Sequence, residues 1–366
     1  MVKSMSPKDT EQRAHEPQEM ALVRCSNAKK LEDVGDYEAA CGALGPLWTG
    51  VGHPPALNNL SKRAKAEVLL RAGTLTGLLG RAQQHAGSQK MARDLLNQSI
   101  GLFKSLNEDR KAQEASIELA RCYYREGALN AARATLQDIL SSLPAECEEL
   151  RAAALWWSAI SEYSMQHLTE SYDFLTEALT LLKESDNHLL RGNVHNHFGV
   201  VLWALGRSLQ SRKHLDQALQ EYKTARAHFE SAGHRRNIGR LENNLGLLYF
   251  ELAVSGRGPD CLSEAFRHLE QSRTINESLH DSGGVAEVNE SLARVLLAQG
   301  RIAEAEKAIR EALNVLEKGG QTDALAEALR TLGVILARLG RLQEAIAAHE
   351  RAIEIVAMSR IKPLDL

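Results

Sequence analysis

Cysteine is sparse and unpaired in this chain: Cys25, Cys41, Cys122, Cys147 and Cys261 are odd in number, scattered, and contain no Cys-x-x-Cys. No disulfide framework is expected, and reduced thiols point to a cytoplasmic setting. Aromatic residues are also scarce, 5% against 44% hydrophobic residues in all, so the core has to be built mainly from Leu and Ala. That composition favours close-packed helices over sheets. Neither sign of charge dominates, since 44 Lys and Arg meet 47 Asp and Glu for a formal net charge of -3. Nothing in this balance draws the chain to phosphate polymers or anionic membranes, and neither nucleic acid nor membrane is expected as a partner. No apolar run reaches the roughly 18 residues of a membrane span. The segment 1–20 is polar and charged without a signal-peptide core, and reads as a disordered lead-in.

Catalytic signatures are missing as well. The sequence has no Gly-x4-Gly-Lys-Ser/Thr phosphate loop, no Gly-x-Ser-x-Gly elbow and no His-Glu-x-x-His helix. No catalytic residue and no cofactor is expected. The densest local cluster is His195-Asn196-His197, with His188 and His214 beyond it. Residues two apart on a helix point about 200° from one another, so His195 and His197 cannot share one metal without distortion, and no metal site is expected. His195 falls at a packing position and His197 on the opposite side.

What the chain does have is internal repetition. Leu332-Gly333, Gly340, Ala345 and Ala352 recur 40 residues earlier as Leu292-Ala293, Gly300, Ala305 and Ala312. Small residues at these spacings let two antiparallel helices approach closely. The segment Gln113–Glu146 carries Leu119, Ala120, Tyr123, Gly127, Ala132, Leu136 and Pro144 in the order of large and small residues of the tetratricopeptide repeat, and it resembles that family. The resemblance extends over 21–359 as eight copies starting near Ala21, Ala66, Gln113, Ala152, Gly192, Gly239, Ala286 and Ala326, with a short tail over 360–366. It implies an all-α fold, a right-handed superhelical solenoid of about eight helix-turn-helix pairs. The fourth copy departs most, with Trp156-Trp157 in its first helix and Ser171 where the second helix should begin with Ala. One indole is expected to pack between helices while the other faces a surface.

Gly80-Arg81, Gly206-Arg207, Gly300-Arg301 and Gly340-Arg341 read as the turns inside copies, where Gly accepts a positive φ. Asn107-Glu108-Asp109, Ser231-Ala232-Gly233 and Gly319-Gly320 are among the breaker clusters that separate copies. From turn Gly to the first small residue of the second helix there are five residues in Gly127/Ala132, Gly300/Ala305 and Gly340/Ala345, but twelve in Gly80/Ala92 and Gly206/Ala218. The sixth copy has the same excess, and Gly256-Arg257-Gly258-Pro259 marks it there as a loop. Insertions in copies 2, 5 and 6 are therefore expected at the turns.

Family resemblance implies that the first helices line a concave wall, with partner-facing residues at positions 2, 5, 6, 9, 12 and 13 of each copy. Helical period gives the same stripe. The expected partner-binding groove is Asn193, Asn196, His197 and Trp203 in the fifth copy, Arg240, Asn243, Asn244 and Phe250 in the sixth, and Glu287, Glu290 and Arg294 in the seventh. Asn is a weak helix former, so an exposed helix gains nothing by it, whereas its amide both donates to and accepts from a peptide backbone. Leu241–Tyr249, with Asn243-Asn244, is similar to the asparagine-bearing first helix of the kinesin-light-chain and LGN-like branch, which implies a grip on peptides. The expectation is a protein-interaction scaffold that holds an extended segment or helix of another protein. Three other uses stay open: a sensor or regulatory subunit whose effector is a separate chain, self-assembly through terminal repeats that expose Ile353 and Val356, and nucleic-acid binding by a local basic patch.

Overall fold

A computed structural model describes residues 7–82, 85, 87–257, 259–319 and 322–361. Among these there is no strand, and the helices follow one another in pairs. The first four pairs are α1 (Pro7–Asp33) with α2 (Tyr37–Leu44), α3 (Lys62–Ala82) with α4 (Ser88–Ser105), α5 (Asp109–Arg125) with α6 (Leu129–Ser142), and α7 (Glu148–Ser164) with α8 (Leu168–Leu181). Four more follow: α9 (His188–Ser208) with α10 (Arg212–Ser231), α11 (Arg235–Leu252) with α12 (Pro259–Ser278), α13 (Ser282–Ala298) with α14 (Ile302–Gly319), and α15 (Thr322–Arg338) with α16 (Leu342–Ile361). The chain divides into two compact units, residues 1–80 with 87–187 and residues 81–86 with 188–366.

From the second pair onward, each first helix begins four residues before the expected start of its copy, at 62, 109, 148, 188, 235, 282 and 322. The first pair differs, because α1 already begins at Pro7. The expected disordered lead-in is therefore helical from residue 7, while residues 1–6 lie outside the described residues. Pro7 at the first helical position, followed by Asp9 and Glu11, suits a helix start. At the other end α16 runs to Ile361, and residues 362–366 of the expected tail lie outside the described residues, as do Gly258 and Gly320.

The amphipathic logic is plainest in α14. Ala305, Ile309, Ala312 and Leu316 are at most 1% exposed and Ala308 and Leu313 nearly so, on the i, i+3, i+4 pattern of one helix face, while Glu304, Lys307 and Arg310 lie opposite. Burial of Ile309 and Leu316 contributes about 1.5–3 kcal/mol each. In the first helices, glycines allow close approach: a Cβ on Gly246 would stand 2.5 Å from Leu269 and 3.2 Å from the Ala265 carbonyl of α12.

Two of the glycines expected at turns do this work instead. Gly80 and Gly206 lie inside α3 and α9, where added Cβ atoms would collide with Ser88 and, at 2.6 Å, with Leu215. The left-handed turn residue of those pairs is Gly87 (φ 74) or Gln210 (φ 49). Counted from it, a buried residue of the second helix, Ala92 or Leu215, comes five residues later, as in Gly127/Ala132, Gln166/Ser171, Gly300/Ala305 and Gly340/Ala345. The expected insertions in pairs 2 and 5 are thus largely helix: α3 and α9 have 21 residues, whereas α5, α7, α13 and α15 have 17. Pair 6 keeps an irregular turn, a π-helical stretch over Ala253–Arg257 with Gly256 left-handed. At Ser171, the departure from Ala is satisfied by a hydrogen bond of 2.8 Å to the Ala159 carbonyl.

Candidate functional site

In residues 188–366 the first helices α9, α11, α13 and α15 pack side by side, each touching the next. All eleven expected groove residues lie on three of them, so helical period collects Asn193, Asn196, His197 and Trp203 on α9, Arg240, Asn243, Asn244 and Phe250 on α11, and Glu287, Glu290 and Arg294 on α13. The structure brings several into contact with one another. Asn244 Nδ2 donates to Asn196 Oδ1 at 3.0 Å, and Asn237 Nδ2 donates to Asn193 Oδ1 at 2.8 Å. Asn196 is 8% exposed. These two amide pairs tie α9 to α11, which corrects the expectation of a freely exposed ladder: a weak helix former is retained where a buried amide finds its complement. Asn237 was not singled out in the sequence, because only the register between two helices reveals its partner.

Asn243 behaves differently. Its Oδ1 is shielded from water and accepts no hydrogen bond. Its neighbour Glu242 is fully buried, 2.5 Å from Arg226 Nη2 of α10 and 2.6 Å from His268 Nδ1 of α12, so α11 is pinned to both second helices next to it. Trp203 is half-buried and its indole N–H donates to nothing. The Arg207 guanidinium stands 5.9 Å from the Trp203 ring and 3.9 Å from the Glu251 carboxylate. Arg294 lies 5.3 Å from the Phe250 ring. Glu290 is buried and accepts a 2.7 Å hydrogen bond from Thr331 Oγ1 of α15. Burial raises the Glu290 carboxyl above the usual carboxylate range against the pull of Arg294 and of the Thr331 hydroxyl. The row accordingly mixes both signs of charge with aromatic rings and amides.

His197 has its Nδ1 3.0 Å from the Asn193 carbonyl, and burial pushes it down to about 4, aided by Arg240. It is neutral at pH 7. His195 points instead to α10, where Nδ1 is 2.6 Å from Glu221 Oε2 and the ring stacks on His228 at 5.5 Å. His188 and His228 approach Nδ1 to Nδ1 at 3.1 Å. Burial, together with Arg191 and the other two imidazoles, lowers His228 to about 4. Among the described residues no group of three or more His, Cys, Asp or Glu is arranged to hold a metal.

Within residues 1–80 and 87–187 two features stand out. Trp157 is 8% exposed and Trp156 half-buried, as adjacent indoles require, with Tyr124 5.8 Å and Arg121 5.4 Å from the Trp157 ring. Arg71 of α3 is buried between Glu32 of α1, at 2.5 Å, and Glu114 of α5, at 2.9 Å. The sequence carried a signal for it, a lone charge in the run Val68-Leu69-Leu70-Arg71-Ala72. No helix among the described residues is long and apolar enough to cross a membrane.

Tetratricopeptide-repeat family models match residues 90–155 and 284–357, covering pairs 2 to 4 in part and pairs 7 and 8. No curated protein matches by sequence. Among solved structures, a Rap protein complexed with Competence and Sporulation Factor aligns at 12% identity over 93% of this chain and 99% of its own, with a TM-score of 0.58. The human IFIT1 dimer with m7Gppp-AAAA aligns at 15% identity over 92% and 72%, with a TM-score of 0.57. Aspartyl phosphate phosphatase F from Bacillus subtilis aligns at 12% identity over 80% and 71%, with a TM-score of 0.56. At such identities the likeness is one of fold.

Proposed function

We propose that this chain is a protein-interaction module and that the row formed by α9, α11 and α13 holds an extended segment of a partner protein. One observation carries the reading: the Trp203 indole N–H on α9 and the Asn243 Oδ1 on α11, the helix that also carries half-buried Phe250, are a donor and an acceptor that the fold itself leaves unused. A shielded polar group without a partner costs about 1–3 kcal/mol. A peptide backbone carries both complements, an acceptor for the indole and a donor for the amide, once neighbouring side chains turn aside to admit it, and the aromatic rings supply apolar contact. The similarity of α11 to the asparagine-bearing helix of the kinesin-light-chain and LGN-like branch belongs to the same proposal. A Rap protein with Competence and Sporulation Factor bound is a precedent of fold for holding a factor.

The IFIT1 structure with m7Gppp-AAAA raises nucleic acid as a second use of such a fold. The row here disfavours it, since Glu287 and Glu290 stand among Arg240 and Arg294 and no basic stripe forms. A regulatory subunit acting on a separate effector chain is compatible with peptide binding and differs only in what the partner does next.

The test is selection from a display library of random peptides against the whole chain, followed by affinity measurement on the variant Asn243→Ala with Trp203→Phe. The expected loss is about tenfold or more, the equivalent of two hydrogen bonds at about 1 kcal/mol each. A library that yields no binder, or binders indifferent to both substitutions, refutes the groove.

A further inference from the structure

The extra length of pairs 5 and 6 encloses a space of its own. A cavity of about 640 Å³ lies between the turn of pair 5 and the end of α11, lined by Arg207, Arg212, Glu251, Leu215, Leu252 and Gly256 among others. Arg207 stands in the four-residue extension that distinguishes α9 from the shorter first helices, and Gly256 belongs to the irregular turn of pair 6. A side chain at Gly256 would meet nothing within 4 Å, so that wall is open space rather than packed core.

The lining carries two guanidinium groups and one carboxylate. Arg207 and Glu251 are 3.9 Å apart, the long limit of an ion pair, and both remain accessible, at 59% and 25%. Arg212 is exposed and makes no ion pair among the described residues. Two partly unsatisfied guanidiniums facing one cavity suit a planar anion, which each can meet with paired N–H donors. Arg207 links the cavity to the expected groove residues, since its guanidinium stands 5.9 Å from the Trp203 ring. A segment held at Trp203 needs only to pass Arg207 to enter the cavity.

We infer that this cavity is an acidic-residue subsite: it receives an Asp or Glu side chain of the partner segment, held between Arg207 and Arg212, with Glu251 yielding its weak contact to the incoming carboxylate. The inference rests on the peptide-binding reading above and adds a charge requirement to it. The apolar wall of Leu215 and Leu252 accommodates the methylene stem of such a side chain.

The experiment uses the same library selection. Peptides selected by the wild-type chain are expected to carry Asp or Glu at one recurrent position, and replacement of that residue by Asn or Gln should weaken binding by about tenfold, the scale of one charge-assisted hydrogen-bonded contact. Arg212→Glu should weaken the same peptides at least as much, leave the thermal melt unchanged because the side chain is exposed, and recover affinity for peptides with Lys at that position. Arg207→Gln provides a second arm. Selected peptides that show no acidic preference, or that bind the Arg212→Glu variant as tightly as wild type, overturn this subsite while leaving the groove standing. A selection that returns no peptide overturns both.

Discussion

In residues 1–80 with 87–187, neighbouring first helices are joined by charge: Arg71 is clamped by Glu32 and Glu114, and Lys111 lies 3.1 Å from both Glu67 and Glu114. In residues 188–366 the joint between α9 and α11 is made chiefly by neutral amides, Asn237 to Asn193 and Asn244 to Asn196, with charge only in the long, accessible Arg207–Glu251 contact of 3.9 Å. A buried charge that loses its partner costs about 3–5 kcal/mol, whereas a buried amide left unpaired costs about 1–3 kcal/mol. The first joint is therefore rigidly specified and poorly suited to remodelling by a ligand. The second is cheaper to open, and Asn243, with its unused Oδ1, directly precedes Asn244 in it.

The sharpest way to break this contrast is Arg71→Ala. Burial pushes the Glu32 carboxyl up even with Arg71 present, and although burial acts in the same sense on Glu114, Arg71 and Lys111 outweigh it there and lower that group. Removing the guanidinium leaves both carboxylates without their main counter-charge. The expected loss of stability is about 3–5 kcal/mol, read from urea denaturation. A loss under about 1 kcal/mol would mean that the network is solvated and the contrast unfounded.

Asn196→Ala tests the amide joint on a smaller scale. It strands Asn244 Nδ2 at a cost of about 1–3 kcal/mol, while Ala recovers about 0.6 kcal/mol of helix propensity. A net destabilisation near 1 kcal/mol is expected in the same titration, several-fold below that of Arg71→Ala. Equal losses would erase the distinction between the two joints.

Glu290→Gln changes charge at constant shape and has an effect that depends on pH. The folded-state carboxyl is raised above its unfolded value by burial, so the folded chain holds the proton more tightly, and stability falls as pH rises from the unfolded to the folded value. Gln keeps an acceptor for Thr331 without that dependence. Its melting temperature should exceed wild type at neutral pH, with the advantage disappearing below about pH 4. A variant that is less stable at neutral pH would show that the ionised carboxylate is needed by Arg294.

The repeats were legible in the sequence because small residues must recur wherever helices approach closely, and that requirement is local to each pair. Which residues share a helix face was legible for the same reason, since helical period alone aligns Asn243 with Phe250 on α11 and Asn196 with Trp203 on α9. What escaped depends on register between helices: Asn237 meets Asn193 across 44 residues, and Arg71 meets Glu32 across 39. Glycine was ambiguous in principle. Gly206 and Gly300 look alike in sequence, yet one admits Leu215 against α9 and the other turns the chain at φ 77.

The smallest expected effect on stability discriminates best between fold and function. Asn243 and Asn244 are neighbours on α11, but Asn244 donates to Asn196 while Asn243 Oδ1 accepts nothing. Asn244→Ala should therefore cost stability as Asn196→Ala does, since it takes the donor from a largely buried acceptor. Asn243→Ala removes an acceptor that is already unpaired and adds about 0.6 kcal/mol of helix propensity, so its melting temperature should equal or slightly exceed that of wild type. Affinity for selected peptides should move the other way, weakening several-fold with the loss of one hydrogen bond of about 1 kcal/mol. Thermal melting and peptide affinity measured on both single variants give the answer. If Asn243→Ala melts lower and binds normally, the unpaired acceptor belongs to packing between α9, α11 and α13, and the partner is held by other residues of the row.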